Sequence, residues 1–320
     1  MTEPHRAELL THCYRLLGSL QDAEDIVQET FLRAWRRLET YQGRASYRAW
    51  LYKIATNTCL DALRQRPKRS LPPRRGPASD PHAVMLPPTK EPIWLEPFPE
   101  ELLAPAEASA EARYEARESI TLAFLTALHL LPPRQRAVLI LRDVLTWQAR
   151  EVAGCLDTSV SAVNSLLHRA RSALNRQYSR YEQPVYQSIR LDKRTKNLLE
   201  RYVHAWETAD IDGLVALLKE DATFPMPPSP SWYQGRKSIA DFLATTILAG
   251  QANGRWRLLP VRANSQPAFA FYRKDETGEV HRAFAIQVLT LDGDLFSDVT
   301  TFGFPALFKY FELPDVLTKS

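Results

Sequence analysis

Asn164, His168, Arg171 and Asn175 recur at spacings of four, three and four in SAVNSLLHRARSALNR, so a helix through them projects amide, imidazole and guanidinium groups from one face. Amides and guanidinium groups pair with base edges in the major groove of duplex DNA, while Arg169 and Arg176 on the flanks suit phosphate oxygens. That chemistry is recognition by hydrogen bond and charge, with no covalent bond made or broken. A helix bearing such groups must be held by its opposite stripe, which Val163, Leu166, Leu167, Ala170 and Leu174 supply. Ser159 is a good N-cap for it, and Val152, Ala153 and Leu156 mark a shorter helix before it, so Trp147 to Arg176 reads as a helix-turn-helix. The same periodicity also describes an amphipathic bundle helix with a solvated polar face.

Two further clusters lie near the start of the chain. In YQGRASYRAWLYKIATNTCLDALRQR, an inward stripe of Trp50, Leu51, Ile54, Ala55, Cys59 and Leu63 leaves Arg44, Arg48, Lys53, Asn57, Arg64 and Arg66 to project. Cations interleaved with aromatic rings suit a single DNA strand, whose unstacked bases rest on flat groups. Trp50 itself, on the apolar stripe, is expected in the core. Upstream, DAEDIVQETFLRAWRRL places Ile26, Val27, Thr30, Phe31, Ala34, Trp35 and Leu38 on one stripe, with Asp22, Asp25, Gln28 and Glu29 outside near the helix start. Acidic groups there favour the helix dipole, and either that alone or a binding partner accounts for them.

The elements that position these groups are spread over 320 residues, 45% of them hydrophobic, enough for several domains of roughly 100 to 200 residues. Helical sequence over 5–66 gives way at RPKRSLPPRRGPASDP to a proline-rich linker over 67–110. One apolar island interrupts it, EPIWLEPFPEELL, whose Trp94, Leu95 and Phe98 are expected to dock on another domain. Helical periodicity returns over 111–181, where LPPRQRAVLILRDV combines a Pro-Pro helix start with an apolar stripe. From 195 to 320, two helical stretches precede strand-like runs such as HRAFAIQVLTL with DG and TG turns, an α+β domain. The net charge of +4 permits nucleic-acid binding without arguing for it. Cys13, Cys59 and Cys155 lie far apart in sequence and read as buried thiols, so neither a metal nor a cofactor is expected. With no leader-like start and no long apolar run, the protein is expected to be cytoplasmic.

In the last domain His204, Asp221, His281, Asp294 and Asp298 are the groups able to move a proton, but no spacing among them compels a pair. Asp292 and Asp294 flank Gly293 as in a hairpin turn, and no enzymatic activity is expected. Phe224, Met226, Trp232, Tyr233, Trp256, Phe269 and Phe271 either line a pocket for a small apolar ligand or fill it as core.

Taken in order, DAEDIVQETFLRAW, RAWLYKIATNTCLDALR, and LPPRQRAVLILRDV followed by SAVNSLLHRAR resemble regions 2 and 4 of the extracytoplasmic-function sigma factors of bacterial RNA polymerase. The resemblance covers 5–66 and 111–178 and implies two all-α domains. It implies that Asp22, Asp25, Gln28 and Glu29 bind the clamp helices of core polymerase. Arg44, Arg48, Lys53, Asn57 and Arg64, with the loop before them, would capture the single-stranded minus-10 element. Ser161, Asn164, Ser165, His168, Arg169 and Arg171 would read the duplex minus-35 element. The chain departs from a common VKSRLHRAR pattern by carrying Asn164 and Leu166, which removes two cations and should lower the log–log salt slope by roughly one unit per lost contact. LLERYVHAWETADIDGLVALLKEDATFPMPP with WYQGRKSIADFL resembles the SnoaL-like branch of the NTF2 cone fold, a curved sheet around a pocket closed by helices. The fold class implied is multidomain, with two helical domains and an α+β cone that controls them. A stand-alone DNA-binding regulator and a SnoaL-class isomerase or cyclase are the alternatives.

Overall fold

The computed structural model describes residues 3–41, 43, 46–65, 68–74, 76–89, 94–103, 119–178, 193–250 and 252–318. Arg44 lies outside them. The chain forms two compact units, 1–70 with 102–183 and 71–101 with 184–320. No helix among the described residues is long and apolar enough to cross a membrane.

The first unit is helical, and local chemistry sets its helix ends. α1 (Arg6–Leu17) stops at Gly18, whose φ of 71° is cheap only for glycine and whose N–H reaches Tyr14 O at 2.7 Å. α2 (Leu20–Arg36) starts at Ser19, whose hydroxyl accepts from Asp22 N at 3.2 Å. α3 (Tyr47–Gln65) packs on both and buries Leu51, Ile54, Ala55 and Cys59.

The α2 stripe is narrower than its sequence indicates. Its buried row is Leu20, Ala23, Val27, Thr30 and Ala34, spaced by three and four. Trp35, one residue and about 100° beyond Ala34, is 75% exposed, and Leu32 and Leu38 are also exposed. Trp35 and Leu38 therefore do not belong to the core.

α4 (Leu122–Leu128) is capped by Thr121, and α5 (Pro133–Leu139) begins with proline and continues into a wider π turn at Ile140–Val144. α6 (Ala149–Cys155) opens on a Gln148–Glu151 capping box. Asp157, at φ 48°, turns the chain into α7 (Val160–Tyr178), where Ser159 Oγ accepts from Ala162 N at 3.2 Å. α6 and α7 form the helix-turn-helix. Val163, Leu167, Ala170 and Leu174 are buried, whereas Leu166 is half-buried.

In the second unit α8 (Lys193–Thr208) and α9 (Ile211–Ala216) are separated by Asp210, whose carboxylate accepts from Gly213 N at 2.9 Å. A sheet follows, formed by β1 (Leu218–Pro225), β2 (Trp232–Gln234), β3 (Trp256–Ala263), β4 (Gln266–Lys274), β5 (Val280–Asp292) and β6 (Leu295–Phe302). Its order is β2-β1-β6-β5-β4-β3, with β7 (Val316–Thr318) beside β5. β1 and β6 are parallel, and the other pairs are antiparallel. Register shifts at Phe271/Tyr272 and Thr290/Leu291 bend the long strands, and with α8, α9 and α10 (Arg236–Phe242) the sheet encloses an aromatic core.

Residues 76–89 and 94–100 run along this domain as an extended strap. Ser79 N donates to Trp232 O at 2.8 Å, Leu86 N to Ser231 Oγ at 3.1 Å and Thr89 N to Pro228 O at 3.1 Å. Trp94, Leu95 and Phe98 are buried; Trp94 Nε1 donates to Pro228 O at 2.8 Å, and Phe98 exchanges hydrogen bonds with Asn264.

Candidate nucleic-acid interface

Four outward residues of α2, Asp25, Gln28, Leu32 and Trp35, are spaced by three, four and three and share one exposed stripe. Carboxylate and amide stand toward the helix start, with an indole left in water further along. Glu29 holds Arg33 at 2.6 Å. Asp22 differs from the other acids: its carboxylate is largely covered and pairs with Arg69 at 2.8 Å.

On α3 the projecting cations already have partners. Arg48 donates to Glu8 at 2.6 Å and lies over the Tyr52 ring at 4.9 Å; Arg64 pairs with Asp61 at 2.9 Å. Lys53 Nζ reaches Gly154 O at 3.0 Å and Asp157 at 2.6 Å, and Asn57 Nδ2 reaches Cys155 O at 3.3 Å. These two side chains cap the C-terminal carbonyls of α6, where a cation is favoured. Trp50 is half-buried instead of core, because it lies in the first turn of α3, where Tyr41 at 5.1 Å and Tyr47 at 5.7 Å flank it. The three rings form a partly open aromatic cluster.

Along α7, Ser161, Asn164, Ser165, His168 and Arg169 are exposed on the face opposite the buried row. Arg171 is gripped by Asp143 through bonds of 2.9 and 2.7 Å.

α1 to α3 and α4 to α7 meet in a polar seam. Arg136, buried, donates to Leu16 O, to His129 O at 3.1 Å and to Leu131 O at 3.3 Å. His129 Nδ1 faces Arg136 at 3.2 Å and its Nε2 faces Arg15 O at 3.2 Å; Arg15 reaches Ser119 at 2.6 Å. His12 Nε2 meets Thr56 at 2.9 Å. Burial, with Arg15 and Arg48 adding to it, lowers the His12 pKa to about 3; burial and then Arg136 push His129 well down; burial alone lowers Arg136 to about 9. Both imidazoles are therefore neutral at pH 7. The sequence reading missed this set, although His12 and Arg15 inside LLTHCYRLL break an apolar run.

None of the five proton-moving candidates of the last domain lines its cavity. His204, Asp221 and Asp294 are exposed, and His281 faces Gly254 O at 3.2 Å. Asp298 accepts from Thr223 and Thr300; burial raises its pKa against the pull of those hydroxyls. The cavity, about 270 Å³, is walled by Trp206, Phe224, Met226, Trp256 and Phe271. Trp232, Tyr233 and Phe269 lie elsewhere: Tyr233 stacks on Phe242 at 4.1 Å, Phe269 on Tyr202 at 5.8 Å, and Trp232 Nε1 donates to Gly76 O at 3.1 Å. Among the described residues no group of three His, Cys, Asp or Glu side chains could hold a metal ion.

Residues 1–69 match Sigma-70 region 2, residues 121–174 match Sigma-70 region 4, and residues 199–299 match the SnoaL-like domain. The chain is 47% identical over 317 residues to the ECF RNA polymerase sigma factor SigG of Mycobacterium tuberculosis, covering 99% of this chain and 84% of that protein. It is 32% identical over 223 residues to SigJ of the same organism, covering 69% and 62%. The crystal structure of Mycobacterium tuberculosis SigJ has the same fold, with a TM-score of 0.61 at 23% identity over 97% of each chain. Two helical sigma modules in this order, followed by a SnoaL-like cone, place the chain in the extracytoplasmic-function RNA polymerase sigma factor family.

Proposed function

We propose that the chain binds core RNA polymerase through the outer stripe of α2, captures melted minus-10 DNA on α3 and reads the duplex minus-35 element with α7. The observation that carries this reading is Trp35, left exposed in line with Asp25 and Gln28. An exposed tryptophan beside Leu32, with carboxylate and amide groups around them, is the type of group that anchors a protein interface. Asp25, Gln28 and Glu29 then supply the charge and hydrogen bonds around it, while Asp22 serves the fold by holding Arg69. On the DNA side, Arg48, Lys53, Asn57 and Arg64, with the Tyr41–Tyr47–Trp50 cluster, offer cations beside stacking surfaces. Ser161, Asn164, Ser165, His168, Arg169 and Arg171 form the groove-reading face.

The arrangement of the first unit supports a closed resting form. Lys53 and Asn57 cannot meet DNA while they cap α6, and Arg171 must leave Asp143 to reach a base. Polymerase and promoter would replace those partners. The SnoaL-like domain regulates this exchange and takes a small apolar ligand in its cavity; a wall without a general acid or base favours binding over turnover there. The protein acts in the cytoplasm, beside the polymerase, without covalent chemistry of its own.

The test is run-off transcription with purified core polymerase. The wild-type chain should direct a defined start site. Asp25→Lys with Glu29→Lys should weaken core binding on the order of a hundredfold with the helical content retained. Normal core affinity in the double variant would remove α2 from the interface.

A further inference from the structure

Glu8 is an acid set among the cations of α3. The two helices lie side by side at a constant offset: Glu8 of α1 meets Tyr52 of α3 and His12 meets Thr56, each pair 44 positions apart. That register also brings the Glu8 carboxylate against Arg48, one helical turn before Tyr52. Its Oε2 accepts from Arg48 Nε at 2.6 Å and from the Tyr52 hydroxyl at 3.3 Å, and its Oε1 accepts from His5 Nδ1 at 2.5 Å. Three partners fix a carboxylate that is only 20% exposed.

A fixed negative charge beside a surface that takes a DNA strand repels phosphate, so its pairing decides what Arg48 can do. As a unit the pair is neutral. Arg48 Nε is occupied by Glu8, Nη2 lies 3.5 Å from the Tyr52 hydroxyl, and the flat guanidinium rests over the buried Tyr52 ring at 4.9 Å. The Arg48 side chain is nevertheless 45% exposed. A planar group with its charge cancelled, backed by a ring and partly in water, suits a base better than a phosphate. His5 stands 6.0 Å from the Tyr47 ring and so joins this carboxylate to the Tyr41–Tyr47–Trp50 cluster. Arg64 is the contrast: its partner Asp61 is 62% exposed and lies on the same helix, a pair that phosphate displaces at little cost.

We propose that Glu8 is a positioning residue that holds Arg48 flat on Tyr52 and cancels its charge, so that Arg48 stacks on an unpaired base and does not clamp a phosphate. This deepens the minus-10 reading of α3 and rests on it. The carboxylate also repels backbone that brings no base to the shelf, and so favours a strand for its bases over its charge.

The experiment uses the full chain and two labelled strands of equal length, oligothymidine and an abasic strand that carries the same phosphates without bases. Fluorescence anisotropy should show the oligothymidine bound about fivefold tighter or more. Arg48→Lys keeps the cation and loses the plane; it should cost the oligothymidine complex about fivefold or more and the abasic complex less than about twofold. Glu8→Gln should tighten the abasic complex and steepen its log–log salt slope by about 0.7, the share of one further phosphate contact. Wild-type helical circular dichroism in both variants ties these changes to the site, since a lost fold would weaken both strands together. The proposal is overturned if the wild-type chain prefers neither strand, if Arg48→Lys leaves oligothymidine binding intact or weakens both strands equally, or if Glu8→Gln leaves the salt slope unchanged. A wild-type chain that binds neither strand removes α3 as the capture surface itself, and this role with it.

Discussion

The seam between the two helical modules is richer in buried polar contacts than the contact between strap and cone, although Tyr52 also meets Trp147 across it at 5.4 Å. In the first unit, Arg136, Arg15, His12 and His129 meet carbonyls and hydroxyls, and Lys53 and Asn57 cap α6. In the second, Trp94, Leu95 and Phe98 are buried as apolar bodies fastened by backbone hydrogen bonds. Polar partners can be exchanged for water, polymerase or DNA at small net cost, whereas buried aromatic surface loses its stabilisation outright when exposed. If the first unit opens as proposed, this difference places the opening at the seam and leaves the strap in place.

The largest effect should come from the strap. Trp94→Ala removes a buried indole and should cost the second unit about 3–5 kcal/mol in urea unfolding. A loss under 1 kcal/mol would mean that the strap is a loose cover and the contrast fails. At the seam, Arg136→Leu leaves the carbonyls of Leu16, His129 and Leu131 unmatched and should cost the first unit about 3 kcal/mol. A neutral result would make the guanidinium dispensable.

Acid should act on the seam next. His12 and His129 have folded pKa values below their ordinary 6.5, so between the two values the unfolded chain binds more protons. Their contribution is complete above about pH 6.5 and is lost as pH falls toward the folded value, near 3 for His12. At pH 5 that amounts to about 2 kcal/mol for His12, and His129 acts in the same direction. Unfolding of the first unit should be easier at pH 5 than at pH 7, and His12→Gln should flatten the difference. An unchanged pH profile in that variant would contradict the assignment.

The smallest stability change should accompany the sharpest change in binding. Asp157→Asn keeps a residue type that tolerates φ 48° but removes the charge facing Lys53, and should cost less than about 1 kcal/mol. It should nevertheless raise the free chain's affinity for single-stranded minus-10 DNA, measured by fluorescence anisotropy. Unaltered affinity would show that Lys53 is not restrained by α6.

Much of this was legible in local sequence, because helix caps and periodicity are short-range. Ser19, Ser159 and Gly18 mark helix ends as their residue types require, and the exposed face of α7 carries the expected polar groups. Trp35 was misplaced because Ala34 beside it is also apolar, and two adjacent apolar residues do not reveal which one faces inward. The turn at Asn264–Ser265 takes φ of 55° and 58° without a glycine, so the β3–β4 hairpin lacks the usual mark. Lys53 and Asp157 pair across 104 positions, and nothing local announces such a contact. The strap's fastening is largely backbone hydrogen bonding, for which only the island of Trp94 and Phe98 gave a hint.

Opening of the seam is tested most directly by energy transfer between dyes on cysteines placed at Asp61 of α3 and Glu151 of α6, since Cys13, Cys59 and Cys155 are buried. Transfer should be high in the free chain and should collapse once core polymerase and promoter DNA are added. High transfer retained in a polymerase complex that is initiating transcription would contradict a closed form that opens for the promoter.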